Sequence, residues 1–191
     1  MKKLCLLLAL LLLALWTLPV FAAAEEAADN VADDALTALA PFALTLPADV
    51  TAQTNAGGTS VTFVHGNGRT RVVAMVLDRV PDVDGDHIAE LNRLMGQFAP
   101  DAREYSYLSL NEGFHGLMAI TSGALEGMGG SRIDQVTVMV LYQSETMGEL
   151  LILSGYDMLG ETNHAWTLAH ALLTAATVEG MPVVPPEAEA E

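Results

Sequence analysis

Two hydrophobic rhythms alternate along the chain, and the places where one gives way to the other mark its elements. The centre is Asp134 to Tyr156, where two arms, Val136 to Tyr142 and Glu149 to Tyr156, are apolar on both faces. Gln143 to Gly148 joins the arms as a polar turn, closed by a glycine that takes positive φ at no steric cost. The stretch therefore reads as a β-hairpin that must be covered above and below.

Period-two patterns precede it. Phe42 to Pro47 alternates and stops at a proline, which suits a first or edge strand, and Val50 to Thr54 is expected to pair beside it. Ser60 to His65 sets Val61 and Phe63 on one face. Gly66-Asn67-Gly68 then turns the chain into Thr70 to Asp78, with Val72, Ala74 and Val76 on one side and Val73, Met75 and Leu77 on the other. Tyr105 to Leu110 and Phe114 to Ser122 supply two further strands.

Helical spacing appears twice. From Asp86 to Phe98, Ile88, Leu91, Leu94 or Met95, and Phe98 form one stripe, with Glu90, Asn92, Arg93 and Gln97 turned away from it. Asp84 and Asp86 suit the amide groups at its start. From Glu161 to Val178, Ala165, Leu168, Ala169, Leu172 and Ala176 form a second stripe, capped by Thr162 or Asn163. Strands, helix, strands, helix, joined by short turns, predict an α+β fold. The expected architecture is a mostly antiparallel β-sheet with a helix packed on each face, in a single domain over residues 41–178.

The ends change the picture. Lys2 and Lys3, the 15-residue apolar run Leu4 to Leu18, and the small residues around Ala22 form a secretory signal peptide over residues 1–22. Its run is shorter than the roughly 20 residues of a membrane-spanning helix. A periplasmic or secreted protein is expected, without stable membrane insertion after cleavage. Residues 23–40 read as an acidic, alanine-rich flexible leader, and residues 179–191 as a disordered tail rich in proline and glutamate.

Past the signal the chain holds six arginines, no lysine and 24 acids, a net charge of −18 against −16 for the full sequence. Such a charge repels nucleic acid and anionic lipid surfaces, so both fall far down the list of partners and no nucleic-acid partner is expected. The single cysteine, Cys5, lies in the signal. An exported chain without disulfides must be held by its core alone.

The opening pattern FALTLPADV, a glycine-punctuated strand pair, one helix, a strand meander ending in DQVTVMVLY and GELLILSGY, and a final helix together resemble the PsbP-like and DcrB-like α/β/α sandwich. A nuclear Ran-binding protein shares that fold. The resemblance covers residues 41–178 and implies an accessory or binding protein rather than an enzyme. It carries no functional residue across.

Candidate chemistry is sparse. Asp82, Asp84 and Asp86 alternate as in a calcium loop, but His87 stands where that loop needs glycine and Arg93 where it needs a bidentate glutamate, so helix capping is the expected role. His65, His87, His115, His164 and His170 show no paired ligand spacing. Met75, Met118 and Met139 fall in strands, leaving Met128 and Met147 in loops as too few thioethers for a soft-metal site. Without Lys or Cys the exported chain has no Schiff-base lysine, Walker lysine or thiolate nucleophile.

No catalytic, cofactor or metal residue is therefore assigned. The expected function is a non-enzymatic accessory or protein-binding domain of the cell envelope. It would meet its partner through a sheet edge and the glycine-rich loop at Gly127 to Gly130, with Leu125 and Met128 exposed. The alternative is a small-ligand or metal-binding protein, or a hydrolase assembled from scattered groups such as His115 and Asp157.

Overall fold

A computed structural model describes residues 35–81, 86–102, 104–124, 132–143 and 147–186. Ten strands and two full helices follow in order: β1 (Phe42–Leu44), β2 (Val50–Thr54), β3 (Val61–His65), β4 (Thr70–Pro81), α1 (His87–Phe98), β5 (Glu104–Leu108), β6 (Phe114–Ala124), β7 (Arg132–Gln143), β8 (Met147–Asp157), α2 (Thr162–Thr174), β9 (Ala176–Val178) and β10 (Met181–Pro182). A helical turn at 35–37 precedes them. The class is α+β.

Seven strands form one sheet in the order β2-β3-β4-β8-β7-β6-β5, and every pairing in it is antiparallel. The expected hairpin, β7 and β8, lies inside it, flanked by β6 and β4. Val136 to Leu141 and Leu150 to Leu153 are all buried, as unbroken apolar runs require. Alternate positions of β7 enter different clusters. Val136, Val138 and Val140 pack with Ala165, Leu168, Ala169 and Leu172 of α2, whereas Met139 and Leu141 pack with Leu91, Leu94 and Met95 of α1.

Several expectations need correction. Gly148 is not a turn residue with positive φ; it lies within β8, paired with Gln143 of β7. Its requirement is space, since a Cβ there would meet Leu141 Cδ1 at 2.8 Å and the Tyr142 carbonyl at 3.3 Å. β2 does not pair with β1 but with β3. β1 instead joins β9 and β10 in a separate three-stranded sheet.

The final helix stops at Thr174 rather than Val178. Ala176-Thr177-Val178 goes over to extended backbone, with β-branched residues at 177 and 178 and Val178 set opposite Phe42. The stretch expected to be a disordered tail begins with order. Glu179 (φ 53°) and Gly180 (φ 81°) turn β9 into β10, and Val183 is fully buried, its amide donating to the Ala176 carbonyl at 2.9 Å. At the other end, Ala35 and Leu39 of the expected flexible leader are also fully buried, in the α2 cluster. The packed unit thus extends beyond 41–178 at both ends.

Two smaller departures concern α1. Ile88, expected on its apolar stripe, is exposed, whereas Glu90, expected in solvent, is 5% exposed. Glu90 tolerates burial because the Arg93 guanidinium, one turn on, grips both of its oxygens.

Candidate functional site

A cleft of about 310 Å³ opens between α2 and the β2–β3–β4 end of the large sheet. Pro47, Asp49 and Val50 reach it from the approach to β2, His65 from the end of β3, and Asn67 and Thr70 from the turn into β4. α2 contributes His164, Thr167, Leu168 and Ala171.

Local sequence explains each placement. Gly68 takes φ 69° in the β3–β4 turn, and the Asn67 side-chain oxygen accepts the amides of Arg69 (2.9 Å) and Thr70 (3.0 Å), an Asx turn that fixes the cleft's edge. On α2 the buried stripe Ala165, Leu168, Ala169 and Leu172 packs inward, and positions 164, 167 and 171 flank that stripe on the cleft side.

Both histidines of the cleft lining pair with carboxylates, His65 with Asp49 in the lining itself and His164 with Glu161 and Asp157 outside it. His65 Nε2 lies 2.8 Å from Asp49 Oδ2, and His65 Nδ1 accepts the Asn67 amide at 3.1 Å. His164 Nδ1 lies 2.9 Å from Glu161 Oε2 and 3.5 Å from Asp157 Oδ2. Asp157 is wholly buried; its Oδ2 accepts the Thr70 hydroxyl at 2.7 Å and its Oδ1 the Leu159 amide at 2.8 Å. Burial acts to raise the Asp157 pKa. The hydrogen bonds from Thr70, Leu159 and His164, with Arg69 nearby, outweigh burial and hold it below the ordinary carboxylate value.

A hydroxyl, an imidazole and a carboxylate thus meet here, but not in relay order. Thr70 donates to Asp157 directly, whereas nucleophile activation needs the hydroxyl hydrogen-bonded to the imidazole. His115, the other group named for a convergent hydrolase, stacks on His87 with ring centroids 4.5 Å apart, a neighbourhood separate from that of Asp157. Burial, then the facing His87, lowers the His115 pKa.

The remaining sequence candidates are dispersed. Asp86 caps α1, its carboxylate accepting the Ala89 amide at 2.9 Å, while Asp82 and Asp84 lie outside the described residues. The glycine-rich loop at Gly127 to Gly130, with Leu125 and Met128, also lies outside them. Met147 opens β8 opposite Pro81 rather than standing in the loop. His170 packs beside Trp166. Among the described residues, no three of His, Cys, Asp or Glu are grouped to hold a metal ion, and no helix is long and apolar enough to cross a membrane.

Sequence reading missed the pairing of His65 with Asp49 and of His164 with Glu161. The second pair had a signal, since Glu161 and His164 are three apart at a helix start. The first depends on the β2–β3 register, in which Val50 faces His65, and no local pattern encodes that.

No family model matches the chain, and no curated protein matches it. Among solved structures, it is similar to LpqN of Mycobacterium tuberculosis, described as involved in cell envelope biogenesis. The TM-score is 0.52 at 16% identity, over 71% of this chain and 82% of that one. The likeness establishes a related fold.

Proposed function

We propose that this protein is an exported, non-enzymatic accessory domain of the cell envelope that works by contact with a protein partner. The observation that carries the reading is the fold shared with LpqN, a protein of cell envelope biogenesis, in a chain that opens with a secretory signal pattern. The finer assignment, a PsbP-like or DcrB-like sandwich with a helix on each face, draws support from the alternation of β7 between the α1 and α2 clusters.

The surface offered to the partner is the β5 edge. Among the described residues β5 pairs only with β6, which leaves one row of its backbone groups without a strand partner there, and Tyr105 and Tyr107 on it are 47% and 59% exposed. The test is made in the native host with the full chain. Fractionation is expected to find a processed form outside the cytoplasm, and deletion to cause detergent sensitivity that the full chain restores. A photo-crosslinker in place of Tyr107 is expected to give one dominant protein adduct that the same group in place of Thr51 on β2 does not. Uncleaved cytoplasmic protein, or an indifferent deletion strain, would refute the envelope role.

The cleft favours a second reading, a small-ligand binding protein. Its volume and mixed lining match a ligand pocket, with apolar walls and a few convergent polar groups. Native mass spectrometry of the chain purified without denaturation is expected to show a retained small molecule, lost when Ala171→Trp fills the cleft. A chain carrying nothing under any purification would count against this reading alone.

A further inference from the structure

The large sheet ends in two edges of different character. Among the described residues, β2 and β5 each pair with one neighbour, but β2 exposes Thr51, Gln53 and Thr54 whereas β5 exposes Tyr105, Ser106 and Tyr107. Tyr105 and Tyr107 stand opposite Ala119 and Leu117 of β6, both members of the α1 cluster, so the two tyrosines rise on the α1 side of the sheet. There the Asn92 side-chain nitrogen donates to the Tyr107 hydroxyl at 3.1 Å and to the Ile88 carbonyl at 2.9 Å. Ile88 is the exposed apolar residue of α1, and that shared amide ties it to the tyrosine edge.

Exposed edges are ordinarily kept from pairing by charges, prolines or bulges. β5 has none of these. Residues 105–111 hold no charged residue and no proline, and the pairing of β5 with β6 runs from Glu104 to Leu108 without a register shift. With six arginines against 24 acids past the signal, like charge opposes contact between two copies of this chain, and an uncharged edge is where that opposition is least. The side-chain order is also symmetric. Tyr105-Ser106-Tyr107 reads alike in both directions about Ser106, as a two-fold contact between identical antiparallel strands requires.

We propose that β5 pairs with β5 of a second copy of this chain, antiparallel about a two-fold axis at Ser106. Tyr105 of each copy then stands opposite Tyr107 of the other, an aromatic cross-strand pair made twice. The axis runs perpendicular to the sheet, so both α1 helices lie on the same side and Ile88 of each flanks the tyrosines. The proposal rests on the reading of the β5 edge as the protein-binding surface and names the partner. Five residues of strand make a small contact, so the pairing is reversible, with an expected Kd on the order of 10 µM.

The test is sedimentation of the exported chain from about 1 to about 500 µM, a range that spans this value. A monomer–dimer equilibrium is expected. Tyr107→Lys and, independently, Tyr105→Lys each place a charge in the contact twice and are expected to raise the Kd about a hundredfold, with circular dichroism showing the fold intact. Thr51→Lys on the β2 edge is expected to leave it unchanged. The register has its own probe, because the only cysteine of the sequence, Cys5, lies in the signal and one introduced thiol reports one position. Opposed residues of antiparallel strands have Cα atoms about 4.5–5.5 Å apart, within disulfide reach, and in this register Ser106 alone faces its own copy. Ser106→Cys is therefore expected to oxidise to a linked dimer about tenfold faster than Thr51→Cys. A dimer that survives Tyr107→Lys and links no faster through Ser106→Cys would overturn the proposal, since its contact lies on another surface. Assembly past the dimer would overturn it as well, being the mark of head-to-tail pairing of β5 with β2. A monomer at the highest concentration would also overturn it, and a Tyr107 adduct to a different protein in the host would then keep the wider reading of that edge.

Discussion

Asp157 shows how one buried charge is kept. Its folded pKa is depressed, so the native state holds the charged form more firmly than the unfolded chain does. The stability it contributes is present above the unfolded value near about 3.9 and is lost as pH falls through the folded value. Asp157→Asn removes one acceptor from the Thr70–Leu159 pair and is expected to cost about 1–3 kcal/mol at neutral pH in urea unfolding. The difference between variant and parent should shrink below about pH 4. His115 works in the other direction. Its lowered pKa means that the unfolded chain takes up the proton first, so the native state loses stability as pH falls below about 6.5. His115→Gln is expected to flatten urea midpoints across that fall; an unchanged slope would place the acid sensitivity elsewhere. Neither behaviour was legible in the sequence, because the lowered His115 value comes first from burial and then from His87, 28 residues away, and Asp157 is held by Thr70, 87 residues away.

Among the elements, the contact of α2 with the sheet depends on small residues. A Cβ on Gly155 of β8 would meet Val72 Cγ2 at 3.1 Å and both Cβ and the carbonyl oxygen of Ala165 at 3.4 Å. Gly155→Val should push α2 off the sheet and cost about 1–3 kcal/mol in urea unfolding, with Ala165→Gly restoring part of the loss. The hairpin, the α1 cap at Asp86 and the main strands could be read from periodicity, because two-sided apolar runs and a capping carboxylate are local signals. β9 could not be. Its alanine-rich approach continues the helical pattern, and only pairing with Phe42 to Leu44, more than 130 residues earlier, selects the extended form. Glu90 fails for a similar reason: its burial rests on the grip of Arg93 rather than on hydropathy.

For the whole molecule, charge opposes compaction. With six arginines against 24 acids beyond the signal, the chain carries an excess of like charge that repels itself less once the chain expands. Sodium chloride screens that repulsion, the Debye length falling from about 30 Å at about 0.01 M to about 3 Å at about 1 M. The melting temperature of the exported chain is therefore expected to rise by several degrees across that range in calorimetry. A flat or falling trend would mean that attractive pairs such as Arg93–Glu90 dominate instead.

The small sheet also bears on how the polypeptide can be engineered. β1 and β9 run antiparallel with Phe42 opposite Val178, so an early strand and a late one lie side by side near the two ends of the packed unit. A linker from beyond Val183 back to Ala35, both buried in one cluster, would close the backbone into a ring. That ring could be reopened at the exposed β2–β3 turn around Gly57 and Gly58 without cutting a buried strand. A circular permutant of this kind would keep the cleft and the β5 edge while moving its ends beside Asn55, which makes the order of the elements along the gene separable from their arrangement in space.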